Sequence, residues 1–528
     1  MAEKVDGDFR LTYATMFDPP EELHQNYEAA LEEVRAALGA EHAMLIDGQE
    51  AHAAQKFEDR SPINQEWVLG SFQSGTGEDA HRALDAAQRA VPTWAQMPWK
   101  ERVATMRRAA DQIDARVYEI AAVISLEVGK NRMEALADAA EAADLIRYAC
   151  DQMESNDGFV VRMGEDPLKG YQAQNISVLR PYGVWLVISP FNFPAALTGG
   201  PAGAALVAGN TIVMKPATDT PWTVRLLAEC FRDAGLPDGT FNYVTGPGST
   251  LGEALVNSPV VDGITFTGSF EVGMHIYRTF AEGQYPRPII LEMGGKNPSL
   301  ITRNADLDRA VSGILRSAFG LQGQKCSANS RIYIDEEVYS EFVPKLIEAA
   351  QELKVGDPTD RAVFMGPVIN RGAYQDFKDY SEELSEAGEF LTGGKAVTEG
   401  DLDKGFFVEP TIVADVEADH RLWKHEMFLP ITMVHTYQSL DQAIELANST
   451  SYGLTAGFYG SEEEADQFFE NIEAGVTYAN RPQGSTTGAW PGFQPFGGWK
   501  GSGSSGKNAG GHYYLQLYMH EQVHTLVR

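Results

Sequence analysis

Apolar, β-rich runs alternate with helical runs from Tyr182 onward, and this alternation constrains the fold more than any other feature of the chain. The turns between the runs are short, so consecutive strands should lie parallel with helices covering the sheet. Gly246, Gly248 and Gly268 fall where predicted strands meet predicted helices, which is where doubly wound sheets bind ligands. The predicted strands are residues 184–189, 211–215, 241–244, 263–266 and 289–292, and the helices between them are residues 195–208, 221–234, 250–257 and 270–281.

The segments on either side extend this α/β pattern. Residues 20–158 have helical periodicity, residues 158–179 look extended, and residues 304–478 repeat the strand–helix alternation. The glycine-rich residues 494–511 are predicted to be loop, and residues 512–527 alternate as an edge strand does, which recruits partners. Since a chain of 528 residues is too long to fold around one hydrophobic core, we expect two or more domains. Further helices are predicted at residues 29–38, 78–94, 99–124, 132–153, 307–318, 337–353 and 440–448.

Charge and cysteine usage exclude several classes of function. The formal net charge is −32, from 74 acidic and 42 basic residues, so the surface repels nucleic acid and anionic membranes. Such a surface is similar to that of proteins from a high-salt cytoplasm. The three cysteines match no zinc or redox spacing, which predicts no metal site and fits a reducing compartment. A charged start predicts no signal peptide, and prolines interrupt the uncharged residues 181–214, so we expect a cytoplasmic protein without a membrane span.

Cys326 is the candidate nucleophile. It lies in the polar run Gln322-Gly323-Gln324-Lys325-Cys326-Ser327, which disfavours an apolar core position. A nearby cation such as Lys325, or a helix N-terminus, would lower the pKa of the thiol below ~8.5 and expose thiolate. Cys150 and Cys230 lie in helical runs and are predicted to be inert.

Glu292 and Asn192 are candidates for acid–base and oxyanion roles. Glu292 ends an apolar strand and precedes a glycine pair, and partial burial there would raise its pKa and make it a usable base. A capping or salt-bridged carboxylate is the alternative. Asn192 lies on a strand-to-helix loop, where its amide can donate to a developing oxyanion.

The segments around Asn192, Glu292 and Cys326, in this order, resemble motifs of the aldehyde dehydrogenase superfamily. The resemblance extends from about Ser61 to the end of the chain. The resemblance implies an α/β fold with a Rossmann-type dinucleotide-binding domain, an α/β catalytic domain and a β oligomerisation flap. It places the NAD(P)-binding domain at residues 1–157 and 181–292 and the catalytic domain at 293–480. A substrate-anchor and return loop would be residues 481–504, and the flap residues 158–180 and 505–528. Matching motifs are Lys215-Pro216-Ala217, Phe266-Thr267-Gly268-Ser269, Glu426-Met427-Phe428 and Pro495-Phe496-Gly497-Gly498.

The same resemblance implies a covalent mechanism. Cys326 would attack the aldehyde carbon, while Asn192 and the Cys326 backbone amide stabilise the oxyanion. Loss of hydride to the nicotinamide would leave a thioester, and Glu292 would activate the water that releases the acid. Covalent capture divides one difficult step into two easier ones.

NAD is the implied cofactor, with NADP left open. Thr218 stands where NAD-preferring relatives have a glutamate, with Asp219 displaced by one residue, and Leu429 stands where relatives have glycine. The implied cofactor-binding residues are Ser189, Pro190, Phe191, Lys215, Thr218, Gly248, Thr267, Gly268, Ser269, Met293, Glu426 and Phe428.

Within the superfamily the chain is most similar to the group that oxidises L-glutamate γ-semialdehyde, which forms from 1-pyrroline-5-carboxylate. Alternatives are another semialdehyde (2-oxoglutarate or succinate semialdehyde), a coenzyme A-acylating enzyme, and a thiol hydrolase or non-catalytic binding protein. The expected partners are a small aldehyde and further copies of the chain, as a homodimer or larger assembly. The implied substrate-binding residues are Phe193, Ser327, Gly488, Ala489 and Phe496.

Overall fold

Helices and strands alternate along most of the computed structural model, which describes residues 10–167 and 169–528. The helices are α1 Glu21–Ala36, α2 Gly77–Gln96, α3 Trp99–Ala115, α4 Val117–Val128, α5 Arg132–Ser155, α6 Ala196–Ala208, α7 Pro221–Asp233, α8 Glu253–Val256, α9 Phe270–Ala281, α10 Leu307–Phe319, α11 Tyr339–Gln351, α12 Arg371–Ala387, α13 Leu440–Asn448 and α14 Glu462–Asn471. The strands are β1 Ala40–His42, β2 Met44–Ile46, β3 Gln49–Ala51, β4 Lys56–Arg60, β5 Val68–Gln73, β6 Val160–Arg162, β7 Ala173–Pro181, β8 Val184–Ile188, β9 Thr211–Lys215, β10 Phe241–Tyr243, β11 Gly263–Thr267, β12 Ile289–Glu292, β13 Asn297–Ile301, β14 Asn329–Asp335, β15 Glu389–Thr392, β16 Thr411–Ala414, β17 Ile431–Tyr437, β18 Tyr452–Gly453, β19 Thr455–Tyr459, β20 Val476–Ala479, β21 Trp499–Lys500 and β22 Met519–Val527.

The alternation predicted from Tyr182 onward forms a seven-stranded sheet with the order β12-β11-β8-β9-β10-β2-β3. The five strands from β12 to β10 are parallel, and β2 and β3 extend the edge antiparallel. The chain runs outward from β8 to β10 and then returns to place β11 on the other side of β8. The carboxyl ends of β8 and β11 therefore border the crevice where open α/β sheets bind ligands.

Small residues let the helices pack closely on this sheet. In α6, Gly203 approaches α5 so closely that an added Cβ would stand 2.6 Å from Ile146 Cγ1, so glycine is needed there. Every residue of α6 except Leu197 is buried, which explains the uncharged residues 181–214 as core, as predicted. No helix in the described ranges is long and apolar enough to cross a membrane.

A second seven-stranded sheet has the order β15-β16-β17-β14-β13-β19-β20, with only β15 antiparallel to its neighbour. Four residues, 293–296, separate the end of β12 from the start of its strand β13 and join the two sheets. Asp306 caps α10 by accepting from Arg309 N at 3.1 Å, and the apolar face of α10 packs into the core beneath β14. The predicted α/β class is thus confirmed, with the junction of the two sheets at the segment that follows Glu292.

A three-stranded antiparallel sheet with the order β22-β7-β6 stands apart from both cores. β22 pairs with β7 over nine residues, from Met519 opposite Pro181 to Val527 opposite Ala173. The edge strand predicted for residues 512–527 is confirmed from Met519 onward, whereas Leu515–Tyr518 is a short 3₁₀ helix.

Four further expectations for the secondary structure were wrong. The loop predicted for residues 494–511 contains the two-residue strand β21, Trp499–Lys500. Residues 40–73, within the region read as helical, contain β1 to β5, because these strands are too short to show a period of two. The helix predicted over 99–124 is two helices that meet at Arg116, whose φ of −111° interrupts them. The segment predicted as a helix over 250–257 begins as a π-helical turn, Gly248–Gly252, before α8.

Candidate active site

Cys326 lies on a turn whose backbone is fixed on both sides. Leu321 and Gln322 have φ angles of 48° and 55°, a left-handed conformation that costs non-glycine residues about 1–3 kcal/mol. Gln322 offsets part of that cost because its Nε2 donates to the carbonyl oxygen of Gly129 at 3.0 Å. The carbonyl oxygen of Cys326 accepts from Asn297 Nδ2 at 2.7 Å. The backbone that carries the Cys326 sulfur is therefore rigid.

The environment of Cys326 stabilises the thiol rather than the thiolate. Burial raises the pKa of the thiol to about 12, and the carboxyls of Glu426 and Glu292 add to the shift. The neighbouring Lys325 gives no help, because its ammonium pairs with Glu134 at 2.5 Å. The expectation that a nearby cation lowers this pKa was therefore wrong: adjacency in sequence does not decide where a side chain points. The thiol needs a base to become a nucleophile.

Glu292 ends β12 with its carboxyl unengaged. Its backbone carbonyl accepts from Gly268 N at 3.1 Å, and the next residue, Met293, donates from its N to Ser502 O at 2.9 Å. Within the described residues, the buried Oε2 has no hydrogen-bond partner, and burial raises the pKa of the carboxyl well above its usual range. A capping or salt-bridge role therefore has no contact to support it. The raised pKa makes its carboxylate a stronger base than that of an exposed glutamate.

Asn192 lies on the loop between β8 and α6, with its side chain 3% exposed. Its Nδ2 donates to the carbonyl oxygen of Gln324 at 3.0 Å. An amide nitrogen carries two N–H groups, so a second one is left for a bound group. Since Gln324 lies two residues before Cys326, this bond fixes the amide beside the loop that carries the thiol.

Cys326, Glu292 and Asn192 all border one cleft of about 830 Å³. The cleft includes residues that follow the carboxyl ends of β8 and β11, the place expected for a ligand in this topology, and its size suits a cofactor. The residues predicted to bind the cofactor also line it, namely Ser189, Pro190, Phe191, Lys215, Thr218, Gly248, Thr267, Gly268, Ser269, Met293, Glu426 and Phe428.

Lys215 and the first turn of α9 supply donors to the cleft. Burial lowers the pKa of Lys215 to about 8, and its Nζ donates to the carbonyl oxygen of Pro216 at 3.1 Å, which leaves further N–H groups for a ligand. Ser269 caps the 12-residue α9, its Oγ accepting from Val272 N at 3.3 Å. Backbone N–H groups at such a helix N-terminus bind phosphate. These groups fit the ribose and pyrophosphate of a dinucleotide.

Glu426 is held in place by a close backbone approach. Its Oε1 accepts from Gly295 N at 2.7 Å, and burial raises the pKa of the carboxyl to about 7. An added Cβ at Gly294 would collide with Glu426 Oε2, so glycine is required there. Phe428 packs edge-on against Phe191 with ring centroids 5.9 Å apart. A carboxyl beside two aromatic rings fits a sugar hydroxyl next to a flat heterocycle.

The two departures from the family pattern have clear positions. Thr218 lines the cleft, whereas Asp219 does not: its Oδ1 accepts from Asn370 Nδ2 at 3.3 Å. Asp219 therefore does not replace the missing glutamate. Leu429 is buried in the core of the second sheet, so the loop accommodates it away from the cleft.

Cys326 also borders a second, mainly apolar cavity of about 100 Å³. A thiol shared by two cavities can contact one ligand on each side. The residues predicted to bind the substrate line this second cavity, namely Phe193, Ser327, Gly488, Ala489 and Phe496.

The loop carrying Gly488 and Ala489 is tied to the nucleophile loop. Thr486 Oγ1 donates to the carbonyl oxygen of Ser327 at 2.6 Å, and Arg481 donates to the carbonyl oxygen of Gly488 at 2.8 Å. Gly488 has a φ of 103°, which only glycine adopts without strain. Neither the Gly488 N–H nor the Ala489 N–H donates to another described residue. Two free N–H groups in a fixed loop make an anion site.

Sequence reasoning missed several residues around the second cavity. Glu134 and Glu141 of α5 line it, and their i, i+7 spacing on one helical face was a usable signal. Trp490, which follows Ala489 directly in the sequence, also lines the cavity. Tyr13 and Met16 do so too; nothing in a charged N-terminal segment indicated this.

Comparisons with known proteins agree with this geometry. The family model described as "Aldehyde dehydrogenase family" matches residues 49–523. 1-Pyrroline-5-carboxylate dehydrogenase of Geobacillus thermodenitrificans (strain NG80-2) is 40% identical over 503 residues, which cover 94% of this chain and 95% of the relative. The crystal structure of 1-pyrroline-5-carboxylate dehydrogenase from Thermus with bound NAD matches with a TM-score of 0.92 and 32% identity, covering 99% of each chain. Betaine aldehyde dehydrogenase from Staphylococcus aureus in complex with NAD⁺ matches with a TM-score of 0.86 and 29% identity, covering 95% of this chain and 97% of that one.

Proposed function

Because the chain belongs to the aldehyde dehydrogenase family, we propose that it oxidises L-glutamate γ-semialdehyde to L-glutamate with NAD, as a step of proline catabolism. The observation that carries this proposal is the position of Cys326, which borders both the large cleft and the smaller cavity. The names of the relatives at about 40% identity support the substrate, and the NAD bound to the Thermus enzyme supports the cofactor.

Catalysis begins with the deprotonation of Cys326. Glu292 takes the thiol proton, and the resulting thiolate attacks the aldehyde carbon from the side of the smaller cavity. A carbon–sulfur bond forms while the π electrons of the carbonyl move to oxygen. Asn192 Nδ2 and the backbone N–H of Cys326 donate to that oxygen, which stabilises the tetrahedral thiohemiacetal.

The cleft residues would hold NAD on the other side of Cys326 from the smaller cavity. Lys215 and Ser269 suit the adenosine ribose and the pyrophosphate, and Glu426 with Phe428 suits the nicotinamide ribose and ring. When bound, NAD supplies the hydride acceptor that converts the thiohemiacetal into a thioester on Cys326. Fixing both partners around one carbon makes the step effectively unimolecular.

Hydrolysis then returns the enzyme to its starting state. Before this step Glu292 releases the thiol proton to solvent. Its carboxylate then removes a proton from water, the water oxygen attacks the thioester carbon, and the carbon–sulfur bond breaks. Cys326 leaves as thiolate and takes this proton back from Glu292, and L-glutamate is released. Burial raises the pKa of the Glu292 carboxyl and so makes its carboxylate a stronger base for both proton transfers.

Substrate selection falls to the smaller cavity. The free N–H groups of Gly488 and Ala489, with Ser327, receive the α-carboxylate, while Phe193 and Phe496 flank the aliphatic stem. Fixed backbone dipoles bind an anion even in a strongly acidic protein, because they act over a short range.

Steady-state kinetics on a panel of semialdehydes test this proposal. We expect the highest kcat/KM with 1-pyrroline-5-carboxylate and NAD. A higher kcat/KM with succinate semialdehyde or 2-oxoglutarate semialdehyde would overturn the substrate assignment. Acyl-coenzyme A as the main product, or turnover without a nicotinamide cofactor, would overturn the reaction type.

We infer that the flap β22-β7-β6 joins copies of the chain into a homodimer or larger assembly in the cytoplasm. The outer edge of β22 presents Val523, Leu526 and Val527 as exposed apolar side chains, and an unpaired edge strand recruits another strand. Sedimentation of the protein tests this: a stable monomer would contradict it.

A further inference from the structure

Residues 10–17, here called the N-terminal strap, cross from α5 to α10 beside the smaller cavity. Arg10 donates to Asp144 Oδ2 at 2.7 Å, and the hydroxyl of Tyr13 donates to Glu141 Oε2 at 2.9 Å. At the far end of the strap, the guanidinium of Arg316 lies 3.5 Å above the ring centroid of Phe17. These contacts are spread over the whole strap, so it is attached at both ends.

The strap forms part of the wall of the cavity that Cys326 borders, through Tyr13, Met16 and Phe17. The Tyr13 ring meets Phe193 edge-on at 6.1 Å and Trp490 at 5.4 Å between centroids. Tyr13 and Met16 are each 9% exposed. Aromatic rings packed edge to face form a rigid surface, so this wall is well defined.

The strap and the loop of Gly488 and Ala489 share one anchor. Asp144 Oδ2 accepts from Arg10 on the strap and, at 3.0 Å, from Trp490 Nε1 on the loop. Arg10 also lies 5.2 Å from the ring centroid of Phe493 on the same loop. The wall formed by Tyr13 is therefore fixed relative to the residues that receive the substrate.

We propose that the N-terminal strap limits the size of the aldehyde that reaches Cys326, and that Tyr13 is the specificity-determining residue of this limit. A cavity of about 100 Å³ leaves little spare room, and the Tyr13 ring is held by contacts on two sides and by the hydroxyl at its tip. Short aldehydes fit beside it, whereas longer ones would have to displace it. This inference rests on the proposed function only in that the aldehyde occupies this cavity.

A series of unbranched aldehydes from propanal to octanal tests the proposal without using any semialdehyde. The variants are Tyr13→Ala, which removes the ring, and Tyr13→Phe, which keeps the ring and removes the hydroxyl. Tyr285→Ala is the control, because Tyr285 is 56% exposed and lies outside the cavity. The readout is the ratio of kcat/KM for octanal to that for propanal, which cancels any loss of active protein.

We expect Tyr13→Ala to raise this ratio by at least about 10-fold, since each methylene gained in an apolar pocket changes discrimination by roughly that factor. The gain should appear as a lower KM for octanal. Tyr13→Phe and Tyr285→Ala should keep the wild-type ratio. If Tyr13→Ala does not fold, Tyr13→Leu replaces it, with an increase in the same direction.

An unchanged ratio in folded Tyr13→Ala or Tyr13→Leu would overturn the role of the strap. Poor turnover of 1-pyrroline-5-carboxylate by the wild type would instead overturn the proposed substrate, and the ratio would still report on the strap. The two failures are therefore distinguishable.

Discussion

Replacing Glu292 with glutamine keeps the shape of the side chain and removes its ability to accept a proton. The side chain is buried and its Oε2 has no hydrogen-bond partner in the described part of the chain, so the substitution, which keeps the shape of the side chain, breaks no hydrogen bond of that oxygen. We therefore expect the variant to fold with the stability of the wild type. Any change in rate then reports on the proton transfers alone.

The magnitude follows from the pKa of Cys326. A thiol with a pKa of about 12 is ionised in only about one molecule in 10⁵ at pH 7, which corresponds to about 7 kcal/mol. A positioned general base contributes roughly 10²–10⁴-fold to a rate. We expect kcat of Glu292→Gln to fall by about 10²–10⁴-fold at pH 7. The rate of the first turnover should fall as well, because the thiol loses its base.

Rapid mixing with NAD and substrate, followed by NADH absorbance, separates the first turnover from the steady state. In the variant, the rate of the first turnover should rise with pH from 7 to 10, because solvent then ionises the thiol. The exposed Glu470→Gln is the matched control and should behave as the wild type. A steady-state rate within threefold of the wild type at pH 7 would refute the role of Glu292 as the base.

Three further predictions concern the cofactor, a buried ion pair and the pH dependence of stability. Thr218→Glu should lower kcat/KM with NADP relative to NAD by at least about 10-fold, because a carboxylate repels the 2′-phosphate; an unchanged ratio would show that Thr218 is not near that ribose. Lys325→Met should lower the free energy of unfolding by about 3–5 kcal/mol, because it leaves the buried Glu134 without its cation. Urea denaturation measures the loss, and Lys325→Met/Glu134→Leu should recover most of it. Burial raises the pKa of Glu127 to about 7 and that of Asp59 above its usual range. Protonation of Glu127 stabilises the folded state, so its contribution is fully present below about pH 4.5 and is lost as pH rises through 7. The urea midpoint should therefore fall less steeply over that range in Glu127→Gln than in the wild type; equal slopes would contradict the assignment.

The central sheet could be predicted because residues that end strands, such as glycine and proline, flank its strands in the sequence. Thr211–Lys215 is an apolar run between a glycine turn and a proline, and the structure gives the predicted bounds. By contrast, β1, β4 and β5 are three to six residues long and pair only with one another. Their formation depends on pairing with one another and on packing, which the pattern within each short segment does not show. Arg116 interrupts a helix with neither glycine nor proline, so periodicity alone joined α3 to α4.

The candidate site likewise has residues that could be predicted from the sequence and properties that could not. Residues that lie within motifs, such as Cys326 and Glu292, were chosen from the sequence, and the structure brings them to one cleft. The electrostatics of Cys326 were not predictable, because Lys325 pairs with Glu134, 191 residues away. Tyr13 was missed for the same reason, since its role depends on contacts with α5 and with Trp490. Contacts between distant segments decide what motif residues can do.

The claim that Cys326 forms a covalent thioester can be tested by mass spectrometry. Glu292→Gln is mixed with 1-pyrroline-5-carboxylate and NAD at pH 10, where solvent ionises the Cys326 thiol, and is then quenched in acid and digested. The thioester accumulates because its hydrolysis still lacks the general base. The account predicts that the peptide containing Cys326 gains the mass of one glutamyl group, while those of the buried Cys150 and Cys230 do not. NADH production with no adduct on Cys326, or an adduct on another cysteine, would contradict it.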